Sequence, residues 1–153
     1  MNEITLIVNG TPHRTRVSDS ALLLDVLREQ AGCTSVREGC GVGACGACTV
    51  LVGETSVSSC LALATRYDGA NITTAEGLDE NDDVVSAFAD CGAAQCGYCI
   101  PGFVLMTREL LAEHPRPTSE QITEHLEGNI CRCGTYPEIR TAVSTAAERR
   151  SPR

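Results

Sequence analysis

Residues 39–48 read GCGVGACGAC, three cysteines interleaved with four glycines, and few folds can accommodate such a stretch. Cys40, Cys45 and Cys48 are spaced C-x4-C-x2-C, and Cys60 follows after eleven further residues, which is ligand spacing for a [2Fe-2S] cluster. A loop that wraps three thiolates around one cluster needs left-handed backbone angles and close approach of peptide N–H groups to sulfur, and glycine supplies both. Gly41-x-Gly43-x-x-Gly46 matches a dinucleotide fingerprint by letter. No strand precedes it and no helix follows, and the interleaved cysteines commit that backbone to sulfur. Structural zinc is the competing reading, since four cysteines also make a tetrahedral site. Such sites usually come as two close pairs, and here only Cys45 and Cys48 are close.

The N-terminus, MNEITLIVNG, has neither the basic region nor the uninterrupted apolar run of a secretory signal, and no stretch is long enough to span a membrane. The expectation is a cytoplasmic chain, where ten cysteines serve as metal ligands rather than disulfides. That count suggests two four-cysteine sites with Cys33 and Cys91 spare. A formal charge of -8 excludes a nucleic-acid partner, which needs a basic surface to displace counterions. With 3% aromatics and no tryptophan, any core is built from Ala, Val, Leu and Ile and is weak alone. Metal clusters would act as staples.

The expected fold is α+β, a β-grasp over residues 1–76 followed by an all-α four-helix bundle over 77–153. Residues 4–8 alternate as a strand, Asn9-Gly10 signals a hairpin, and residues 13–17 return. Ser18, Asp19 or Ser20 can cap a helix whose apolar face is Leu22, Leu23, Val26 and Leu27. Strands follow at Thr49–Val52, Val57–Ser59 and Asn71–Thr74. Past the polar GLDENDD the pattern turns helical, with segments at Asp83–Asp90, Pro101–His114, Ser119–Glu127 and Pro137–Arg149. Pro101 and Pro137 suit the first helical position, and Thr118 with Gln121 makes a capping box.

Cys96 and Cys99 fall in the first connection of the helical half, and Cys131 and Cys133 in the third. In an antiparallel bundle those connections emerge at one end, so four thiolates can converge. Both loops, CGYCIP and CRCGTYP, carry a glycine, a tyrosine and a proline, as if one device were used twice. Spacing also leaves a second grouping open, because Cys91, Cys96 and Cys99 repeat C-x4-C-x2-C. Cys33 reads as a small buried hydrophobe. His13, His114 and His125 read as solvated surface residues, and Arg149-Arg150 as a solvated charge pair.

With both cysteine sets placed, the chain resembles the small iron-sulfur subunit of the xanthine oxidase family of molybdenum hydroxylases. The residues that carry the resemblance are GCGVGACGACTV with Cys60, then QCGYCIPG and NICRCGTYPEI, and it extends over nearly the whole chain. It implies a plant-ferredoxin-like domain with one [2Fe-2S] cluster on Cys40, Cys45, Cys48 and Cys60. A second cluster is implied on Cys96, Cys99, Cys131 and Cys133, nearer the molybdenum cofactor, with Cys91 spare. The resemblance further implies a large subunit binding molybdopterin, in cytosine dinucleotide form, a medium subunit carrying FAD, and a dimer of heterotrimers. Gln95 would contact the pterin, and Cys133 would lie close to its amino group. Arg37-Glu38 stands where a lysine is frequent in that family, and no functional weight attaches to it here. The implied function is one-electron transfer from reduced molybdopterin to flavin or another acceptor. A free-standing two-cluster carrier and a two-zinc structural adaptor are the alternatives.

Overall fold

The computed structural model of the protein describes residues 1–150. Strand β1 (Asn2–Val8) and strand β2 (Thr11–Val17) form an antiparallel hairpin with Asn2 opposite Val17 and Val8 opposite Thr11. Asn9 and Gly10 both have positive φ, 51° and 80°, as a tight two-residue turn requires. β2 starts two residues earlier than the alternation predicts and takes in Pro12, which is tolerated because β2 is an edge strand. Strands β3 (Thr49–Val52), β4 (Thr55–Ser58) and β5 (Asn71–Thr73) complete a mixed sheet in the order β2-β1-β5-β3-β4. β5 runs parallel to β1 and antiparallel to β3.

Helix α1 (Leu23–Glu29) covers the sheet, and Leu23, Leu24, Val26 and Leu27 share one core with Ile4, Leu6, Val8, Val50 and Ile72. The expected cap from Ser18, Asp19 or Ser20 is not used. The residue before the helix is Leu22, extended and without a side-chain cap. A long-range bridge takes the place of a cap: Leu22 pairs with Leu63, the Leu23 N–H donates to the Ala62 carbonyl at 2.7 Å, and the Ala64 N–H donates to the Ala21 carbonyl at 2.8 Å. Ser59, expected at the end of a strand, opens a turn of 3-10 helix over Ser59–Leu61.

Helices α2 (Asp83–Asp90), α3 (Ile100–Glu113), α4 (Ser119–Leu126) and α5 (Tyr136–Arg150) enclose a second core around Val84, Phe88, Phe103, Leu110, Ile122, Ile139 and Val143. Asp82 caps α2 through the Val84 and Val85 N–H groups and also pairs with Arg108. The Thr118–Gln121 capping box opens α4. Pro101 and Pro137 occupy second rather than first helical positions, because Ile100 and Tyr136 already lie within their helices. Arg149 is not merely solvated: it donates to Ser86 Oγ at 2.8 Å and pairs with Asp90 at 2.6 Å, tying the end of α5 to α2. His125 is half-buried, with Nε2 at 3.2 Å from Glu109 Oε2, within ion-pair distance though not in hydrogen-bonding geometry. Glu109 in turn accepts the Ser56 N–H of β4 at 2.6 Å, so a buried carboxylate fastens α3 to the sheet edge. Among the described residues no helix is long and apolar enough to cross a membrane.

Candidate metal centres

The loop after α1 brings Cys40, Cys45 and Cys48 together with Cys60, which enters on the 3-10 turn that follows β4. Cys40 and Cys45 are half-exposed, whereas Cys48 and Cys60 are buried. The thiols of Cys40 and Cys45 interact, as do those of Cys48 and Cys60. The N–H groups of Val42 and Ala44 point at Cys40 Sγ, at 3.4 and 3.3 Å, and pull its thiol down to about 7. Burial and the neighbouring Cys48 push the Cys60 thiol up to about 11, against an opposing N–H from Gly43. Gly41, Gly43 and Gly46 all have φ near +70°, the left-handed conformation that lets this loop turn its N–H groups inward. A Cβ on Gly39 would lie 2.7 Å from Cys45 Sγ, so the space beside that sulfur admits no side chain.

The second group is built from two inter-helical loops. Cys96 and Cys133 are exposed and their thiols interact; Cys99 and Cys131 are buried and pair likewise. Burial, reinforced by Cys131, pushes the Cys99 thiol up to about 12. Burial also acts on Cys131, but the Thr135 hydroxyl at 3.1 Å and the Thr135 N–H outweigh it and bring that thiol to about 7. Cys91 stands apart. It terminates α2, packs against the helical core and donates to Thr145 Oγ1 at 3.6 Å. Cys33 is buried in the sheet core. Gln95 is exposed beside Cys96, and among the described residues its side chain has no hydrogen-bond partner.

Among the described residues no three His, Cys, Asp or Glu side chains enclose a position for a single metal ion. Each group instead consists of two thiol pairs, one buried and one facing outward. Four thiols with peptide N–H groups directed at sulfur fit a binuclear iron-sulfur cluster in each group, and in the first the space beside Cys45 Sγ admits no side chain.

The two groups are joined by contacts that sequence reading missed. The Ile130 N–H, beside Cys131, donates to the Cys45 carbonyl at 3.0 Å. The guanidinium of Arg37 donates to the carbonyls of Gly97 and Tyr98 at 2.6 and 2.9 Å and lies 5.3 Å from the centroid of the Tyr98 ring. The Tyr98 hydroxyl donates back to the Glu38 carbonyl at 2.6 Å. In the other loop the Tyr136 oxygen accepts the Cys131 N–H at 2.8 Å, so the paired tyrosines of CGYCIP and CRCGTYP do different work. That both loops carry a tyrosine was the available signal; its partners, some sixty residues away for Tyr98, were not. Asn129 is buried between Gly46 and Gly102, and its Nδ2 has no hydrogen-bond partner.

Two family models match the chain in succession: a 2Fe-2S iron-sulfur cluster binding domain over residues 6–74 and a [2Fe-2S] binding domain over residues 74–144. The chain is 44% identical to the nicotinate dehydrogenase small FeS subunit of Eubacterium barkeri, over 97% of this chain and 98% of that one. It is 41% identical to the nicotine 6-hydroxylase small subunit of Paenarthrobacter nicotinovorans, over 94% of this chain and 88% of that one. Among solved structures it superposes on a chain of quinoline 2-oxidoreductase from Pseudomonas putida 86 with a TM-score of 0.91 and 36% identity, covering 96% of this chain and 94% of that one. The aldehyde oxidoreductase of Desulfovibrio gigas gives the same TM-score at 38% identity, but there the match spans 18% of a much longer chain. Near full-length identity above 40%, with both cluster-binding domain models in order, shows that this chain belongs to the small iron-sulfur subunits of the molybdenum hydroxylase family.

Proposed function

We propose that this chain is the electron-transfer subunit of a cytoplasmic molybdenum hydroxylase, carrying single electrons from molybdopterin on a large partner to a flavin. The large subunit would hold molybdopterin, in cytosine dinucleotide form, and a medium subunit would hold FAD, in a dimer of heterotrimers. Cys40, Cys45, Cys48 and Cys60 hold one [2Fe-2S] cluster in a β-grasp domain over residues 1–76. Cys96, Cys99, Cys131 and Cys133 hold the other in a four-helix bundle over residues 77–153. When bound, each cluster takes up one electron and gives it back. The chain's own contribution is to hold the thiolates, aim N–H groups at sulfur and cover one side of each site.

The observation that carries this reading is the pair of four-thiol groups on separate cores joined by direct hydrogen bonds. A partner is supported by the apolar side chains left in solvent. Val42, Leu61, Tyr98 and Ile130 are all exposed, and each lies within two residues of a site cysteine. The complex purified from native extracts should contain about four iron and about four acid-labile sulfide per copy of this chain. Stoichiometric zinc, or about two iron, would overturn it.

Gln95 is proposed to meet the pterin, with Cys133 beside the same surface, because glutamine offers a donor and an acceptor to a pterin edge and this side chain is exposed, with neither group engaged among the described residues. The test uses whichever of nicotinate, xanthine or an aldehyde, the compounds named for its relatives, reduces the parent complex. In Gln95→Ala that compound should reduce the clusters more slowly, while dithionite reduces them at the parent rate. Equal rates with both reductants, at unchanged cofactor content, would remove Gln95 from the coupling.

A further inference from the structure

Arg37 lies three residues before Cys40, and its side chain does not turn towards its own loop. The guanidinium spans to the other half of the chain and donates to two successive carbonyls, those of Gly97 and Tyr98, which lie between Cys96 and Cys99. The Tyr98 ring lies against the same cation, and the Tyr98 hydroxyl closes the circuit on the Glu38 carbonyl. Arg37 is half-buried, and its Nη1 alone makes both hydrogen bonds while the guanidinium carbon lies 5.3 Å from the ring centroid, so the cation is held by three contacts to one loop. A permanent positive charge is thereby fixed between the loop that carries Cys40 and the loop that carries Cys96 and Cys99. Among the described residues no carboxylate pairs with it; the partners of the guanidinium there are two neutral carbonyls and a ring.

We propose that Arg37 is a positioning residue that docks the two cysteine loops onto each other and, through its fixed charge, sets the reduction potentials of both centres together. This rests on the two-cluster reading above. Reduction adds one negative charge to a site already rich in thiolate, so a nearby fixed cation favours the reduced form. Because the cation touches both loops, the effect falls on both centres rather than one. Two unit charges roughly 10 Å apart at an effective dielectric of about 20 interact by enough to change an equilibrium ratio roughly tenfold, which sets the scale of the expected effect. A bias of the same sign on both centres shifts the pair together relative to a common donor and acceptor.

The test is a redox titration of the assembled complex followed by electron paramagnetic resonance, which resolves the two reduced centres. Arg37→Gln, which keeps a donor for one carbonyl but no charge, should lower both potentials in the same direction, by about tenfold in the reduced-to-oxidised ratio. Arg37→Lys should restore most of the shift, an outcome that a purely steric role would not produce. Tyr98→Leu leaves the charge and both carbonyls but removes the ring and the hydroxyl bond to Glu38, whereas Tyr98→Phe removes the hydroxyl alone; measured against Tyr98→Phe, Tyr98→Leu should move both potentials the same way as Arg37→Gln by less. Should Arg37→Gln not retain its iron, Tyr98→Leu decides the matter alone. Unchanged potentials, or movement of one centre only, in an iron-replete variant overturn the proposal. A parent complex with fewer than two resonances overturns the two-cluster reading and this inference with it, whereas two resonances indifferent to Arg37 overturn the inference alone.

Discussion

Cys131→Ser should remove about half of the iron bound to the complex, and Cys91→Ser should remove none. Spacing by itself permits the opposite, since Cys91, Cys96 and Cys99 repeat the C-x4-C-x2-C pattern of the first loop. Geometry separates the two cysteines. Cys131 is buried against Cys99, receives the Thr135 hydroxyl at 3.1 Å and is brought to about 7, near neutrality for a thiol that must bind as thiolate. Cys91 sits on the end of α2 with Thr145 as its partner and the helical core beside it. Serine is nearly isosteric with cysteine, so Cys91→Ser keeps the fold and loses little packing. In Cys131→Ser the Cys40 group remains intact, and its resonance should persist at parent intensity. Iron and sulfide analysis with paramagnetic resonance reads both outcomes. Loss of a cluster in Cys91→Ser, with Cys131→Ser unaffected, would reverse the assignment.

A methyl group added at Gly102 should be nearly as damaging, although Gly102 ligates nothing. Its Cβ would stand 2.1 Å from the Gly46 carbonyl oxygen and 3.1 Å from the carbonyl carbon. Neither side can yield cheaply. Gly102 is in the first turn of α3, and the Gly46 carbonyl already accepts the Thr49 hydroxyl at 2.8 Å. On the other side of the same contact, a Cβ on Gly46 would meet Asn129 Nδ2 at 2.3 Å. Overpacking against movable side chains costs about 1–3 kcal/mol, and a backbone-on-backbone clash belongs at or above the top of that range. Because Cys99 immediately precedes α3 and Gly46 lies between Cys45 and Cys48, the strain is delivered to both cysteine loops at once. Gly102→Ala should therefore lower the melting temperature of the complex and its iron content together. Gly128→Ala is the control, since a Cβ there meets nothing within 4 Å. If the two variants melt alike with full iron, the close approach of α3 to the loop is not a constraint.

The parts legible in the sequence were those written in neighbouring residues. The Asn9-Gly10 turn, the alternation of Ile4, Leu6 and Val8, and the Thr118–Gln121 box each depend on a few adjacent positions, and each stands where it was read. Cys96, Cys99, Cys131 and Cys133 were expected close together from their places in two inter-helical connections, and their thiols do interact, Cys96 with Cys133 and Cys99 with Cys131. The start of α1 was not, because Leu22 and Leu23 are held by Leu63 and Ala62, forty residues downstream, and no local capping rule registers such partners. The partners of Arg37 and the close packing of Gly46, Gly102 and Asn129 escaped for the same reason. His125 escaped differently: it looks like a surface residue on a short helix until α3 supplies Glu109 beneath it.

Glu109 also bears on how the chain behaves before it is loaded. An open sheet exposes two rows of unpaired peptide groups, and each can recruit a strand from another molecule and seed aggregation. In this sheet β2 is one margin and β4 the other. Pro12 removes one donor from the first margin, and Arg16 places a cation on it, while Arg14 is paired with Glu3 of β1. On the second margin, the donor that a foreign strand would seek at Ser56 is already engaged by the Glu109 carboxylate, held from below by α3. The helical half therefore also closes part of that margin to a foreign strand, through a contact that involves no cysteine.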